Sequence, residues 1–173
     1  MMIETINKTD LLDQIDEAVS QLIDLMSALE ENEINTIPYQ GSWTAGQLFQ
    51  HITKSTEAVA KAMQEEGKHV DRDPAENIAN LKKTFLDFST KLESPDFIVP
   101  EEGTYEKLAS IQKLGSSFQK LRACVDDADL SVVVHKSPIG DATKLEMLHF
   151  VLYHTQRHLH QMKKIHEAIR NAV

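Results

Sequence analysis

The chain contains no proline and no glycine from Asp141 to Val173, and this long uninterrupted run constrains the fold more than any other feature. Its apolar residues recur every three or four positions, the spacing that places them on one face of an α-helix. We therefore predict one long helix here. It begins at Asp141 or at Thr143, and Thr143 and Glu146 have the spacing of a capping box.

Two histidines of this helix are four residues apart. His154 and His158 therefore lie one above the other on one face. A rise of ~1.5 Å per residue separates their Cα atoms by about 6 Å, and their imidazole nitrogens can then converge to within ~2.0–2.1 Å of one divalent ion. Because five of the eight histidines lie in this helix, the alternative is a chance pair of surface histidines that titrate near neutrality.

Four further stretches have helical periodicity and are bounded by capping or chain-breaking residues. We predict helices over residues 9–32, 44–66, 73–93 and 104–127. Gly115 interrupts the last of these, where it permits a close helix approach or a slight break. Residues 94–103 and 131–140 are rich in chain-breaking proline and glycine, so we predict extended connections there, with no strand partner for residues 132–134.

The expected fold is therefore all-α, a four-helix bundle with a long crossover connection that carries an additional helix. At 173 residues, the chain is expected to form a single domain over residues 1–173, with a core that needs no metal or disulfide for folding.

Charge and cysteine content exclude several classes of function. A net charge of −9 argues against non-specific nucleic-acid binding and against an anionic membrane surface. Cys124 is the single cysteine, which is typical of a reducing compartment. The first five residues lack the features of a secretory signal, and no apolar run reaches the ~18 residues that cross a bilayer. We expect a soluble cytoplasmic protein.

For several candidate residues the sequence allows two interpretations. His51 lies at the margin of the apolar face of the second helix, as a hydrogen-bonded structural residue or as one that points inward to a site. Trp43 either closes the bundle end or lines a ligand pocket. Tyr153 and Arg157 share a flank with Phe150 that is either solvated or a dimer surface.

Three features together resemble the DinB-like family of metal-dependent bundle proteins. They are a second helix that begins after Trp43 and carries one inward His51, the connector Pro138-Ile139-Gly140, and a last helix that reads Tyr-His-x-x-x-His-Leu-x-Gln from residue 153. The resemblance implies a four-helix bundle, one divalent metal near one end and often a homodimer. By position, it implies that His51, His154 and His158 are the metal ligands.

Three neutral imidazoles suit Zn²⁺ or Ni²⁺ better than Ca²⁺ or Mg²⁺. Three protein ligands leave a coordination position for water or a small-molecule substrate, as in catalytic sites. Gln161, one turn after His158, is placed to hydrogen-bond a ligand from outside the coordination sphere. Thr155, Gln156 and Arg157 separate the paired histidines, so the glutamate base of His-Glu-x-x-His proteases is missing.

Three functional hypotheses follow. Relatives of the family include transferases and isomerases that use thiols such as bacillithiol or mycothiol, so the leading hypothesis is a metal-dependent S-transferase for a low-molecular-weight thiol. The second is a hydrolase that uses metal-bound hydroxide. The third is a non-catalytic metal- or ligand-binding bundle in a stress response.

Overall fold

The computed structural model describes residues 7–172. The first five residues, which we expect to lack a secretory signal, lie outside this range. Within it the chain forms five α-helices and two short strands. These are α1 (Lys8–Ser27), α2 (Ala45–Met63), α3 (Ile78–Leu86), α4 (Lys107–Asp126), β1 (Val133–Ser137), β2 (Gly140–Thr143) and α5 (Lys144–Asn171), with 3-10 turns at Glu33–Asn35 and Asp96–Ile98.

The four long helices pack around one core. α1 contacts α4 and α5, α2 contacts the same two helices, and α3 packs on α5. Fully buried side chains such as Leu11, Phe49, Leu114 and Leu148 come from all four long helices. The mostly helical fold predicted from periodicity is therefore confirmed. Within residues 7–172, no helix has both the length and the apolar character needed to cross a membrane.

Two capping boxes place the ends of the helices that carry the candidate site. At the start of α2, the Thr44 hydroxyl accepts from the Gln47 N–H at 3.1 Å, and the Gln47 side chain accepts from the Thr44 N–H at 3.0 Å. Thr143 and Glu146 make the same pair of hydrogen bonds at the start of α5. Thr143 is thus the N-cap of the last helix, and α5 does not begin at Asp141.

Two predicted helices are shorter than their periodicity suggested. α1 ends at Ser27 and not near residue 32, because the chain turns inward and buries Leu29 and Ile34. α3 covers only residues 78–86 of the predicted 73–93. It stops because the Asp87 carboxylate accepts the Ser89 N–H and so stabilises a turn, as Asp commonly does.

The connection before α5 is a β-hairpin, so the prediction that residues 132–134 have no strand partner was wrong. β1 pairs antiparallel with β2, with Val133 opposite Thr143 and Val134 opposite Ala142. The partner was missed because β2 lacks alternating apolar residues. Lys136 at φ 60° and Gly140 at φ 87° take the left-handed conformations at the tight reversal.

The structure also excludes the interpretations that the sequence suggested for Gly115 and for the flank of Phe150. α4 is continuous through Gly115, where an added Cβ would meet no atom within 4 Å, so this glycine permits neither a break nor a close approach. The flank of Phe150 and Tyr153 is buried, and the Phe85 ring of α3 packs on Phe150 at a centroid distance of 5.1 Å. That flank is therefore covered by the chain itself and is not a free dimer surface.

Candidate metal centre

Three histidine side chains converge in the interior between α2 and α5. The Nε2 atom of His51 lies 3.1 Å from that of His154 and 3.0 Å from that of His158, and the last two are 3.1 Å apart. The side chains are buried, with exposures of 1%, 6% and 7%. Two helices far apart in the sequence thus bring three ring nitrogens into one nearly equilateral triangle.

Hydrogen bonds on the outer side of two rings determine where their protons are. The Nδ1 atom of His51 lies 2.9 Å from the Ile98 carbonyl oxygen, which can only accept, so Nδ1 carries the hydrogen. The Nδ1 atom of His158 lies 2.9 Å from the Gln161 side-chain oxygen and donates to it. Both rings therefore direct an Nε2 lone pair into the triangle.

Burial keeps the cluster uncharged. It lowers the pKa of His51, and it lowers the pKa of His154 well below its ordinary value with a further effect of the neighbouring His158 and His51. For His158, burial and then the proximity of His51 lower the pKa to about 3. All three imidazoles are accordingly neutral near pH 7, the form in which histidine binds a metal ion.

The triangle fits a divalent ion better than it fits hydrogen bonds among the rings. At least two lone pairs face each other at 3.0 Å, and one proton on His154 cannot satisfy both of its neighbours. A cation would satisfy all three nitrogens. Bonds of ~2.0–2.1 Å that meet at the metal at angles between about 90° (octahedral) and about 109° (tetrahedral) place their donor atoms about 2.8–3.4 Å apart. The observed edges are 3.0–3.1 Å.

Aromatic side chains surround the cluster. The half-buried Trp43 ring packs against His51 at a centroid distance of 4.8 Å, and Phe150 lies 5.0 Å from the His154 ring. Trp43 packs against the hydrophobic core and also lines a cavity, so both sequence interpretations of this residue agree with its position. Gln161 contacts a histidine of the cluster as expected. The role of all these residues in metal binding stays a prediction.

A cavity of about 290 Å³ opens onto all three histidines. We call it the apolar cavity because aromatic and aliphatic side chains make up much of its wall, among them Phe85, Phe97, Pro138, Ile139 and Phe150. Residues 92–95, which follow α3, lie across one side of it.

A second cavity, of about 610 Å³, meets the cluster only at His158. We call it the basic cavity because its charged lining is Lys91, Arg157 and Lys164 against Glu93. Arg157, His158 and residues 92–94 line both cavities. The candidate centre therefore lies between two cavities of different chemical character.

The other histidines take structural or surface positions. The His149 Nδ1 donates to the Leu145 carbonyl oxygen one turn earlier at 3.0 Å, and His160 stacks on Phe88 at 4.1 Å. His135 pairs with Asp141 on the hairpin at 2.9 Å and lines neither cavity. None of these three histidines belongs to the cluster.

Three contributors to the site were missed in the sequence. The Ile98 carbonyl is a main-chain group that side-chain patterns do not reveal. Glu93 is the one carboxylate among the described residues that line the two cavities. Arg157 donates to the carbonyl oxygens of Phe85, Asp87 and Thr90 and so holds the segment after α3 beside the cluster. No sequence signal indicates where that segment lies.

Comparison with known families agrees with the geometry. The model of the DinB superfamily matches residues 14–162, which is most of the chain. The chain belongs to the DinB superfamily. The matched range contains His51, His154, His158 and the supporting Gln161. Among curated proteins and solved structures, none shows significant similarity to this DinB-superfamily chain.

Proposed function

We propose that this protein binds one divalent ion, Zn²⁺ or Ni²⁺, through His51, His154 and His158, and that it transfers a low-molecular-weight thiol to an electrophile. The observation that carries the proposal is the triangle of neutral nitrogens with edges of 3.0–3.1 Å. The ligand set offers nitrogen only, which disfavours the oxygen-seeking Ca²⁺ and Mg²⁺.

A divalent ion held by three neutral ligands keeps its full charge and acidifies a thiol that it binds. The protein's own residues supply the rest. The Ile98 carbonyl and Gln161 fix the orientation of two rings, and Trp43 and Phe150 pack against the rings of His51 and His154. The apolar cavity gives an aromatic electrophile a surface beside the histidines. With an aryl halide as the electrophile, the thiol sulfur would bond to the ring carbon, the carbon–halogen bond would break and release halide, and the thiol proton would pass to water.

The architecture and setting belong to the same proposal. α1, α2, α4 and α5 would form the four-helix bundle, with residues 64–106 as the crossover that carries α3. The pairwise packing of the four long helices supports this arrangement. The homodimer implied by the family resemblance and the cytoplasmic setting suggested by a single cysteine remain predictions, and the covered flank of Phe150 and Tyr153 does not supply the dimer contact.

Metal analysis tests the ligand set. After loading with Zn²⁺ and gel filtration, wild type should retain about one ion per chain, and His51→Ala, His154→Ala and His158→Ala should each lose most of it. The control is His160→Ala, an exposed histidine of the same helix. Full retention of the ion by His51→Ala would show that the triangle is not the binding site.

Activity is tested with bacillithiol and chlorodinitrobenzene. Metal-loaded wild type should form the thioether, and chelated protein and His154→Ala should not, with circular dichroism confirming that both remain folded. Absence of conjugate with bacillithiol, mycothiol and simple thiols would refute the transferase. Stoichiometric metal without turnover of thiols or esters would identify a non-catalytic binding protein.

A metal-dependent hydrolase is the second candidate, and Glu93 is the observation that favours it. This reaction needs a carboxylate to accept a proton from water, and Glu93 lines the cavity that touches all three histidines. A hydrolase predicts thiol-independent ester cleavage that falls ~100-fold or more in Glu93→Gln with metal content unchanged. A transferase predicts no ester cleavage.

A further inference from the structure

The lining of the basic cavity opposes the charge of the molecule. The chain as a whole carries −9, yet three cations and one carboxylate line this cavity. A concave surface with an excess of one sign of charge concentrates its field and attracts ions of the opposite sign, and here the cations outnumber the carboxylate. The basic cavity is therefore a local anion-attracting site on an acidic protein.

Arg157 is a positioned member of that lining. Its guanidinium donates to the Phe85 carbonyl oxygen at 3.2 Å, to the Asp87 carbonyl oxygen at 2.9 Å and to that of Thr90. Carbonyl oxygens are neutral acceptors, so these hydrogen bonds position the guanidinium without cancelling its charge. The Asp87 carboxylate is near enough to interact electrostatically with Arg157, and Asp87 does not line the cavity. The positive charge of Arg157 is fixed at the boundary between the two cavities, next to His158 in the wall.

Lys91 and Lys164 lie on the exposed side of the basic cavity. Within residues 7–172, neither ammonium group makes an ion pair or a side-chain hydrogen bond. Both are therefore free to pair with an anion that enters. The cavity volume of about 610 Å³ is within the range of small-molecule sites, about 300–1,000 Å³.

The inner end of the basic cavity reaches the candidate metal centre. His158, Gln161 and Trp43 line it there. A molecule with its anionic part between the lysines and Arg157 would extend its other end toward His158. The apolar cavity meets the same cluster, shares Arg157 and His158 with the basic cavity, and has a lining that suits an uncharged electrophile.

We propose that the basic cavity binds the carboxylate-bearing part of the thiol, with Lys91, Arg157 and Lys164 as its counter-ions and the sulfur directed to the His158 side of the cluster. This inference rests on the proposed function and names its substrate class as an anionic thiol. The two reactants would then enter from different cavities and meet at the three histidines.

Calorimetry on the metal-loaded full chain tests the proposal with mercaptosuccinate, a thiol dicarboxylate, and thioglycerol, its uncharged counterpart. We expect mercaptosuccinate to bind about tenfold more tightly at low ionic strength, with the difference shrinking as salt screens the charges. Lys91→Gln and Lys164→Gln should each weaken mercaptosuccinate binding by about threefold and leave thioglycerol unchanged.

Lys163→Gln is the matched control, because Lys163 is exposed and adjacent to Lys164 but does not line the cavity. Equal affinity for the two thiols, or the same loss in Lys163→Gln as in Lys164→Gln, would overturn the proposal.

Succinate, which has no thiol, separates this inference from the proposed function. Lysine-dependent binding of succinate in the absence of conjugation activity would support the anion site while the transferase failed. Conjugation of thioglycerol as efficiently as of mercaptosuccinate would support the transferase and refute the anion site. In both cases the metal content, measured on the same samples, shows that the centre is intact.

Discussion

At the scale of single residues, the hydrogen bond from His158 to Gln161 should strengthen metal binding. The amide oxygen fixes the ring and holds its proton on Nδ1. Gln161→Leu should therefore weaken Zn²⁺ affinity by about tenfold, as measured by competition with a chromophoric chelator. Gln156→Leu is the control, since this half-buried glutamine of the same helix lines neither cavity. Equal losses in the two variants would contradict the role of Gln161.

The buried histidines should make the metal-free protein acid-sensitive. Burial depresses their folded-state pKa values, to about 3 for His158, whereas an unfolded histidine titrates near 6.5. Above pH 6.5 both states are unprotonated. Below it the unfolded chain binds protons that the folded chain does not, so the free energy of unfolding falls as pH decreases toward 3.

Urea denaturation in the presence of chelator, between pH 7 and pH 5, measures this dependence. His158→Gln should flatten the slope by up to about 1.4 kcal/mol per pH unit, the value for one proton. Glu146 does not interfere in this window. Burial raises its pKa, but hydrogen bonds, from Arg72 above all, outweigh this effect and lower the pKa, so that it titrates in more acidic solution. An unchanged slope would mean that His158 takes up protons equally in the folded and unfolded states, and so that burial does not depress its pKa.

At the scale of helices, two glycines offer opposite predictions. A Cβ on Gly46 of α2 would lie 2.7 Å from the Tyr105 Cβ, and Tyr105 is held by hydrogen bonds from its hydroxyl to the Glu101 carbonyl and from its N–H to Asn35. Gly46→Ala should therefore cost about 1–3 kcal/mol. Gly115→Ala should gain about 0.5–1 kcal/mol, since helix propensity improves and the space is open.

Thermal and urea unfolding of both variants against wild type measure these changes. A loss of stability in Gly115→Ala would contradict the open surroundings of that position.

The starts of α2 and α5 were predictable, and the end of α1 and both bounds of α3 were not. The boxes at Thr44 and Thr143 are local patterns whose hydrogen bonds form between residues three apart, so the sequence is sufficient to locate them. The ends of α1 and α3 and the pairing of the hairpin depend on burial and on contacts distant in the chain. The site residues likewise include some that local spacing could predict and one that it could not. The spacing of His154 and His158 predicted their convergence, and the family resemblance added His51.

At the scale of the whole molecule, one buried ion pair joins the segment before α3 to the start of α5. Arg72 donates to both carboxylate oxygens of Glu146 at 2.8 Å, and Glu146 is fully buried. Removing the arginine leaves the carboxylate with the N–H groups of Asn77 and Thr143 as partners. Because the Arg72 side chain is 22% exposed, the loss should be about 2–3 kcal/mol, below that of a fully buried pair.

Urea denaturation of Arg72→Ala measures this loss. Amide hydrogen exchange should accelerate more in residues 72–86 than in α1 and α4, because the ion pair connects this part of the chain to α5. Lys82→Ala, an exposed change in α3, is the control. If Arg72→Ala were as stable as wild type, the ion pair would make no net contribution to the free energy of unfolding.

The distance along the chain between His51 and the other two histidines also determines when the centre can assemble. His51 precedes His154 by 103 residues, which a ribosome adds in roughly 5–20 s at ~5–20 residues per second. Throughout that interval a growing polypeptide offers a lone donor from α2, too few to retain zinc. On the ligand set proposed above, the ion is acquired after α5 has been translated and has docked, so metallation reports that this last helix has reached its place.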